Sequence, residues 1–530
     1  MGLVGRGARR AGLGNLLSGG GLVAAGLRGA VVAAVGAMLL AGCTSSAMKF
    51  APASAQTPFQ TPGHQTQTAG GAPDFGLAQD AGMPIAIATP RLDAKHTYTL
   101  PELIDIAQLS NPVTRASWER ARQAAIAVGV TEAAYLPILS ANVLAGVQQT
   151  STTAPGIDGP LITIPPGTLT TTGAQVIPSL AVQWLLFDFG GRDAANAAAK
   201  DLSYAANVTF NGAHQKLIFD VSSAFFSLSS ARVQLGIARE TLANTQTVLS
   251  AAEARLKTGV ATTIEVAQAK QQVAQAQFGL TQSQGHERSA YLALLQAMGV
   301  SPTITIRVQD ASGRRLPRAV PQDLNRLIEA SLQRRPDVQA AFAKYRADQS
   351  GIAAARAEFL PKVALTGSVN RLAASLDVED SRFGQLAHLQ SNQPNANLLV
   401  GISIPIFDGG LRDARLQAAM AQTAASEQDL AALQNAAAQQ IVVGYDLLRT
   451  SLAGYAAATE LTNAAQTTYD AALDYYKNGL GTLADVSIAQ TGLLQARLSK
   501  ATAHSDSLIA AATIAFATGT LTNRRSSGAL

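Results

Sequence analysis

A seven-residue phrase occurs twice in this 530-residue chain, and it limits what the chain can fold into. Phe187-Asp188-Phe189-Gly190-Gly191-Arg192-Asp193 is echoed by Phe407-Asp408-Gly409-Gly410-Leu411-Arg412-Asp413, five of seven positions agreeing at an offset of 220. The same offset carries Lys257-Thr258-Gly259 onto Lys477-Asn478-Gly479. With a gap of four residues it also carries Tyr135-Leu136-Pro137 onto Phe359-Leu360-Pro361. Several matches in one order mean a duplicated unit, and a duplication constrains the fold before any local reading does. Each copy reads as helix, strand, loop, strand, the phrase, then two very long helices.

The strands show in the hydrophobic period. Leu139, Ala141, Val143, Ala145 and Val147 alternate with Ser140, Asn142, Gly146 and Gln148; Leu180, Val182, Trp184 and Leu186 do the same in the next segment. The second copy repeats this with Val363, Leu365 and Val369, then with Leu398, Val400, Ile402, Ile404 and Ile406. The expected strand pairs are 138–149 with 175–187 and 362–371 with 397–406. The Pro-, Gly-, Thr- and Ser-rich stretches Thr150–Ala174 and Leu372–Ala396 are expected to be exposed loops. Alternation over about ten residues is the mark of a transmembrane β-strand; a soluble sheet with one wet face would give the same pattern in any single strand. Open sheet edges are not tolerated in lipid, and the smallest single-chain barrels need about eight strands. Four strands per chain therefore imply that several chains pool their strands.

The long helices follow each phrase, with Asp193 and Asp413 in the first turns, where a carboxylate meets the positive helix end. Helical character runs to Lys257 and Lys477, roughly 100 Å at 1.5 Å per residue. Val221, Leu228, Leu235, Leu242, Leu249 and Leu256 form a heptad stripe, and Ile441, Leu448, Tyr455, Tyr469 and Tyr476 form its counterpart. Small residues sit three places after most of them, the pattern of close supercoiled packing. Each helix turns back at Gly259 or Gly479, where a left-handed cap fits. The hairpins are expected over 193–298 and 413–518.

Ahead of the repeats, residues 1–42 carry four arginines and no acid around the uncharged run Gly29–Gly42, a secretory signal. Without them the net charge of +5 falls to +1 (5 − 4), which removes the case for nucleic acid. The chain's single cysteine, Cys43, ends that run. Residues 43–97 read as a flexible tether, 98–318 as repeat 1, 319–518 as repeat 2 and 519–530 as a loose tail. The six histidines are scattered without partner cysteines, and no nucleophile elbow is present. Neither an enzyme, a metal site nor a cofactor is expected.

Leu40-Ala41-Gly42-Cys43, Asn111-Pro112, the duplicated phrase and the Arg255-Leu256-Lys257-Thr258-Gly259 turn together resemble the TolC/OprM family of outer-membrane efflux lipoproteins, over roughly Thr99 to Ala517. The resemblance implies an α+β membrane protein. It would be a homotrimer with a 12-stranded β-barrel in the outer membrane, continued across the periplasm by a 12-helix α-barrel. It implies a passive exit duct for small molecules, docked to a periplasmic adaptor and an inner-membrane pump. It also implies lipidation of Cys43, with no acid at the second mature position and hence an outer-membrane address. Lys257, Gly259, Lys477, Gly479 and Gly481 would lie at the adaptor-docking tips. Tyr476 matches the gating tyrosine, Asp485 the acid facing the closed pore, and Glu265 an acid latched by arginine in some relatives. That arginine position is Gly481 here, and a second pore acid is replaced by Ile488, so the latch departs from the pattern. Asp485 and Glu265 read equally as acids stabilising helix starts. The rival reading of the whole chain is a lipid-anchored periplasmic helical scaffold or adaptor without a pore.

Overall fold

The computed structural model describes residues 52, 54, 55, 82–85, 87–317 and 323–521. The leader 1–42 and Cys43 lie outside the described residues. The fold belongs to the unit beginning at Ile87. Order begins earlier than the tether reading placed it. Ala88 O accepts from Ser301 N at 2.9 Å, Leu92 packs on the core, and Thr97–Tyr98 pair with Arg307–Val308. A leucine and a tyrosine with an apolar cluster to cover hold this segment down.

Helix α1 (Leu100–Ser110) starts with a capping box in which the Glu102 carboxylate accepts from Thr99 N at 2.7 Å and from Thr99 Oγ1 at 2.8 Å. Asn111 then caps α2 (Pro112–Ala133) through Val113 N, and its Nδ2 donates to Ala297 O at 3.1 Å, far along the chain.

Strands β1 (Ile138–Ala154), β2 (Gly167–Phe187), β3 (Lys362–Asp380) and β4 (Gly384–Ser403) form one antiparallel sheet in that order. β1 and β4 pair on one side only. The ladder places Leu139 opposite Val182 and Ala141 opposite Leu180. Next come Leu180 opposite Val369 and Trp184 opposite Leu365, then Leu365 opposite Val400 and Val363 opposite Ile402. Directly opposed residues share a face. All four alternating sets thus merge into one apolar face, with Leu139, Val143 and Ile402 strongly exposed (75%, 72% and 68%). The other face carries Ser140, Asn142, Ser179, Asn370 and Asn397.

The strands are longer than the alternation alone suggests. The segments read as loops are mostly strand, and only 155–166 and 381–383 connect the partners, with one short pairing inside the first. Thr150–Thr153 lie opposite Thr168–Thr171, and β-branched residues suit an extended ladder whatever their polarity. In this distal half the apolar face turns polar. Arg371 bonds Asn392 at 2.6 Å and Asp377 contacts His388 at 2.7 Å on the side that carries Val369 below. The apolar belt is thus confined to the half nearer the helices, about nine residues tall on β1, Leu139 to Val147. At the end next to the helices β4 stops at Ser403, so Ile404 and Ile406 fall outside the ladder. Proline explains one break: Pro178 lacks an N–H, and the β2–β3 ladder skips Ile177 and Pro178.

The phrase is the strand-to-helix junction. Gly190 and Gly410 hold φ +90 and +89, a left-handed backbone that glycine adopts freely, just before α3 (Gly191–Lys257) and α7 (Leu411–Lys477). Asp188 accepts from Arg192 N at 2.8 Å and Asp408 from Arg412 N at 3.1 Å, so these aspartates satisfy the orphan helix donors. Asp193 and Asp413 stand in the first turns, as the sequence indicates, and Asp193 also accepts from Tyr135 Oη. Arg192 donates to the carbonyls of Leu185 and Leu186 at the strand end and stacks on Tyr135 at 4.8 Å. Arg412 donates to Pro405 O and stacks on Phe359 at 5.2 Å. The two duplicated motifs therefore meet in space: the arginine of one covers the aromatic of the other.

α3 and α7 run through two layers. Near the sheet, α2 packs on α3, and α6 (Pro336–Ala357) lies between α3 and α7. α5 (Leu324–Leu332) rests on α7. Further away, α4 (Thr263–Met298) returns along α3 and α8 (Leu483–Ala517) along α7, with α8 also against α3. α8 ends in a glycine turn at Gly519, and Leu521 still packs on the core, so the loose tail cannot begin before 522; residues 522–530 lie outside the described ones. One core joins Leu103, Val221, Leu228, Leu294, Met298 and Leu508 at mid-length. The leucine stripe of α3 fades along its length: Val221 and Leu228 are fully buried, Leu242 and Leu249 only partly. Burial passes to Thr245, Val248 and Ala252. A helix of 3.6 residues per turn drifts about 20° per heptad against a seven-residue repeat, and here the drift changes which residues face the seam.

Candidate functional site

The two helix hairpins end side by side in matching turns. After α3, Gly259 holds φ +74, with Gly259 N to Leu256 O at 3.0 Å and Val260 N to Arg255 O at 3.0 Å. After α7, Gly479 holds φ +82, with Gly479 N to Tyr476 O at 3.1 Å and Leu480 N to Tyr475 O at 2.9 Å. Both are glycine caps that satisfy the last carbonyls and reverse the chain. Lys257 and Lys477 are exposed in the last turns, where cations suit the helix dipole. Val260 and Leu480 project beside them, 63% and 79% exposed. Gly481 lies against Tyr475, where an added Cβ would come within 3.3 Å of the Tyr475 Cβ.

Behind the turns all four long helices share a core. Val248 and Ala252 come from α3, Val266 and Ala269 from α4, Tyr469 and Tyr476 from α7, and Leu483, Val486 and Leu493 from α8. Tyr476 is fully buried. The Arg255 guanidinium lies 4.5 Å over its ring and donates to its main-chain carbonyl. The Tyr476 hydroxyl is buried without a hydrogen-bond partner among the described residues. Burial pushes its pKa up, the nearby Glu265 carboxylate adds to the rise, and Arg255 opposes it.

The candidate acids divide. Asp485 is exposed, and its Oδ2 accepts from Thr482 N at 3.0 Å and Thr482 Oγ1 at 2.6 Å, the capping box of α8. Those bonds hold its carboxyl below the usual range. Glu265 N donates to Thr262 Oγ1 at 3.3 Å, while its carboxylate makes no hydrogen bond or ion pair among the described residues. The fold thus brings Tyr476 and Glu265 into one electrostatic neighbourhood and leaves Asp485 on Thr482. Arg255 is the residue that motif reading did not place at Tyr476. A signal existed in the duplication: at the offset of 220, Arg255-Leu256 in one copy stands where Tyr475-Tyr476 stands in the other.

Residues 103–300 and 327–520 match the family model described as outer membrane efflux protein, one segment for each repeat. The chain belongs to the outer membrane efflux protein family. It is an outer-membrane efflux duct, and each of its two matched segments contains one of the long helix hairpins. Among curated relatives, Protein CyaE of Bordetella pertussis is 26% identical over 419 residues, 77% of this chain and 81% of that one. Outer membrane efflux protein BepC of Brucella suis is 25% identical over 357 residues, 66% and 73% of the two chains. The solved structure of the outer-membrane channel OprN shares the fold with a TM-score of 0.64 at 20% identity, covering 83% of this chain and 98% of that one. No helix among the described residues of this efflux protein is long and apolar enough to cross a membrane.

Proposed function

We propose that three copies of this chain pool their strands into a 12-stranded barrel in the outer membrane, with their long helices continuing as a periplasmic tube that conducts small molecules outward. The observation that carries the reading is the single apolar face built by the register of four strands whose two edges are unpaired. In lipid an open edge leaves a row of unsatisfied backbone groups, so the sheet must close with other copies. The number three comes from the family resemblance; four strands in each chain then make twelve. Reconstitution in planar bilayers tests the duct: discrete conductance steps are expected, and a protein that binds bilayers without conducting would contradict it.

In this reading the tips converge on the threefold axis. Tyr476, Asp485 and Glu265 form the closed end, and the exposed Val260 and Leu480, flanked by Lys257 and Lys477, meet a periplasmic adaptor carrying an inner-membrane pump. Gly259, Gly479 and Gly481 give these turns their shape. Three Asp485 carboxylates facing one narrow opening would be poorly screened at a spacing below the Debye length of about 8 Å, and such rings favour cations. Asp485→Ala is expected to shift the reversal potential toward lower cation selectivity under a salt gradient. An unchanged potential would leave Asp485 solely as the acid that caps α8.

Anchoring is the remaining part of the proposal. Cys43 carries lipid in the mature protein, and Cys43→Ser is expected to abolish incorporation of radiolabelled palmitate. Labelling of the mutant equal to the parent would remove the anchor from the account.

A further inference from the structure

A cavity of about 300 Å³ opens midway along the helices, where α3, α7 and α8 meet the segment around Ser312. Its floor is apolar, with Phe226, Ile237 and Leu508. Its one lining carboxylate, Glu240, is held by Arg497 at 2.6 Å, and that guanidinium also donates to Gln466 Oε1 at 2.6 Å. The pair cancels and leaves Lys500. Among the described residues its ammonium has no ion pair and no hydrogen bond. Beside the cavity, the Arg314 guanidinium, 5.4 Å from the Phe226 ring, is offset by the Asp310 carboxylate, which accepts from Ser229 Oγ and Ser312 N at 3.0 Å each. His504 stands against Tyr455 with ring centroids 5.4 Å apart. Its Nε2 lies 3.0 Å from Arg314 O, a carbonyl that can only accept, so this nitrogen carries the proton.

The balance of groups selects a ligand class. An inorganic anion would find the charge but leave the apolar floor bare, and a neutral apolar molecule would strip water from Lys500 without replacing it. A small molecule with an anionic head on a ring or short chain satisfies both, and the cavity lies at the lower end of the volume range of small-molecule sites. We propose that this cavity binds small organic anions, with Lys500 as the charge that holds the head group and Phe226 beneath the apolar body. The assignment is independent of the pore, since it concerns one chain and a site distant from the tips.

The test is a titration of the full protein in lipid nanodiscs with 4-(trifluoromethyl)benzoate, followed by fluorine NMR and corrected with empty nanodiscs. Saturable binding of one benzoate per chain is expected, with the neutral 4-(trifluoromethyl)benzamide much weaker. Lys500→Gln is expected to weaken the benzoate by about tenfold or more, the scale of a single charge-assisted hydrogen bond. Lys500→Arg, which keeps the charge, should stay within a few fold of the parent. Benzoate binding that is unsaturable, equal in parent and Lys500→Gln, or matched by the benzamide overturns the proposal. Equal weakening in both variants also overturns it, because that pattern reports damage to the cavity and not its charge.

Discussion

Arg255→Gln is expected to raise the open probability of the reconstituted duct by one to two orders of magnitude, the largest functional effect of any single substitution discussed for this chain. The reason lies in what Arg255 does at the tip. It stacks on the fully buried Tyr476 and donates to that residue's carbonyl, so it fastens the end of α3 to the end of α7. A partly desolvated cation–π contact contributes roughly 0.5–2 kcal/mol, and a hydrogen bond from a charged donor about 1.5–3 kcal/mol. If the tips close the duct as proposed, separating the end of α7 from the end of α3 opens it, and that separation parts this contact. Removing about 2 kcal/mol of closed-state preference multiplies the open population roughly 30-fold, at tenfold per 1.4 kcal/mol. Glutamine keeps a donor for the carbonyl but loses the charge and the planar stack; lysine keeps the charge and loses the fork. Arg255→Lys should therefore fall between parent and Arg255→Gln. Identical single-channel open probabilities in all three would show that the contact does not restrain the tip.

The largest stability effect is expected at Leu228. This side chain is fully buried in the mid-length core with Val221, Leu294 and Met298. Leu228→Ala should cost about 2–5 kcal/mol in each chain through lost transfer energy and the cavity left behind. Leu242, two heptads further along the same stripe, is only half-buried, and its truncation should cost well under half as much. Thermal melts of both variants, followed by circular dichroism, check the ordering. Equal melting temperatures would contradict the drift of the seam that separates them.

The heptad itself was legible in the sequence, but not where it stops being the seam. Periodicity reports that a stripe exists; the neighbours decide how far it stays covered, and α4 and α8 take over the packing at Thr245 and Val248. The sheet shows the same division. Leu139, Val182, Leu365 and Val400 declared their shared face by alternation alone, because each alternates against polar neighbours. The distal strands stayed hidden: apart from Leu169, Thr150–Thr153 and Thr168–Thr171 are polar and show no alternation, and only their pairing makes them strands. At the junctions, helix position placed Asp193 and Asp413 correctly in the first turns, and duplication marked Asp188 and Asp408 without giving them a role. Hydrogen-bond geometry supplied that role, since Asp188 and Asp408 take the free helix N–H groups. At the tip, Tyr476 and Glu265 could be named from motif order, while Arg255 lies 221 residues from its partner, and no local pattern spans that gap.

Closure of the four-stranded sheet by other copies of the chain is what makes a duct, and a count of chains tests that most directly. Native mass spectrometry of the protein released from detergent, without heating, is predicted to give a single assembly of three chains that collapses to one on boiling. A monomer or dimer as the sole species that forms channels would contradict a barrel of twelve strands.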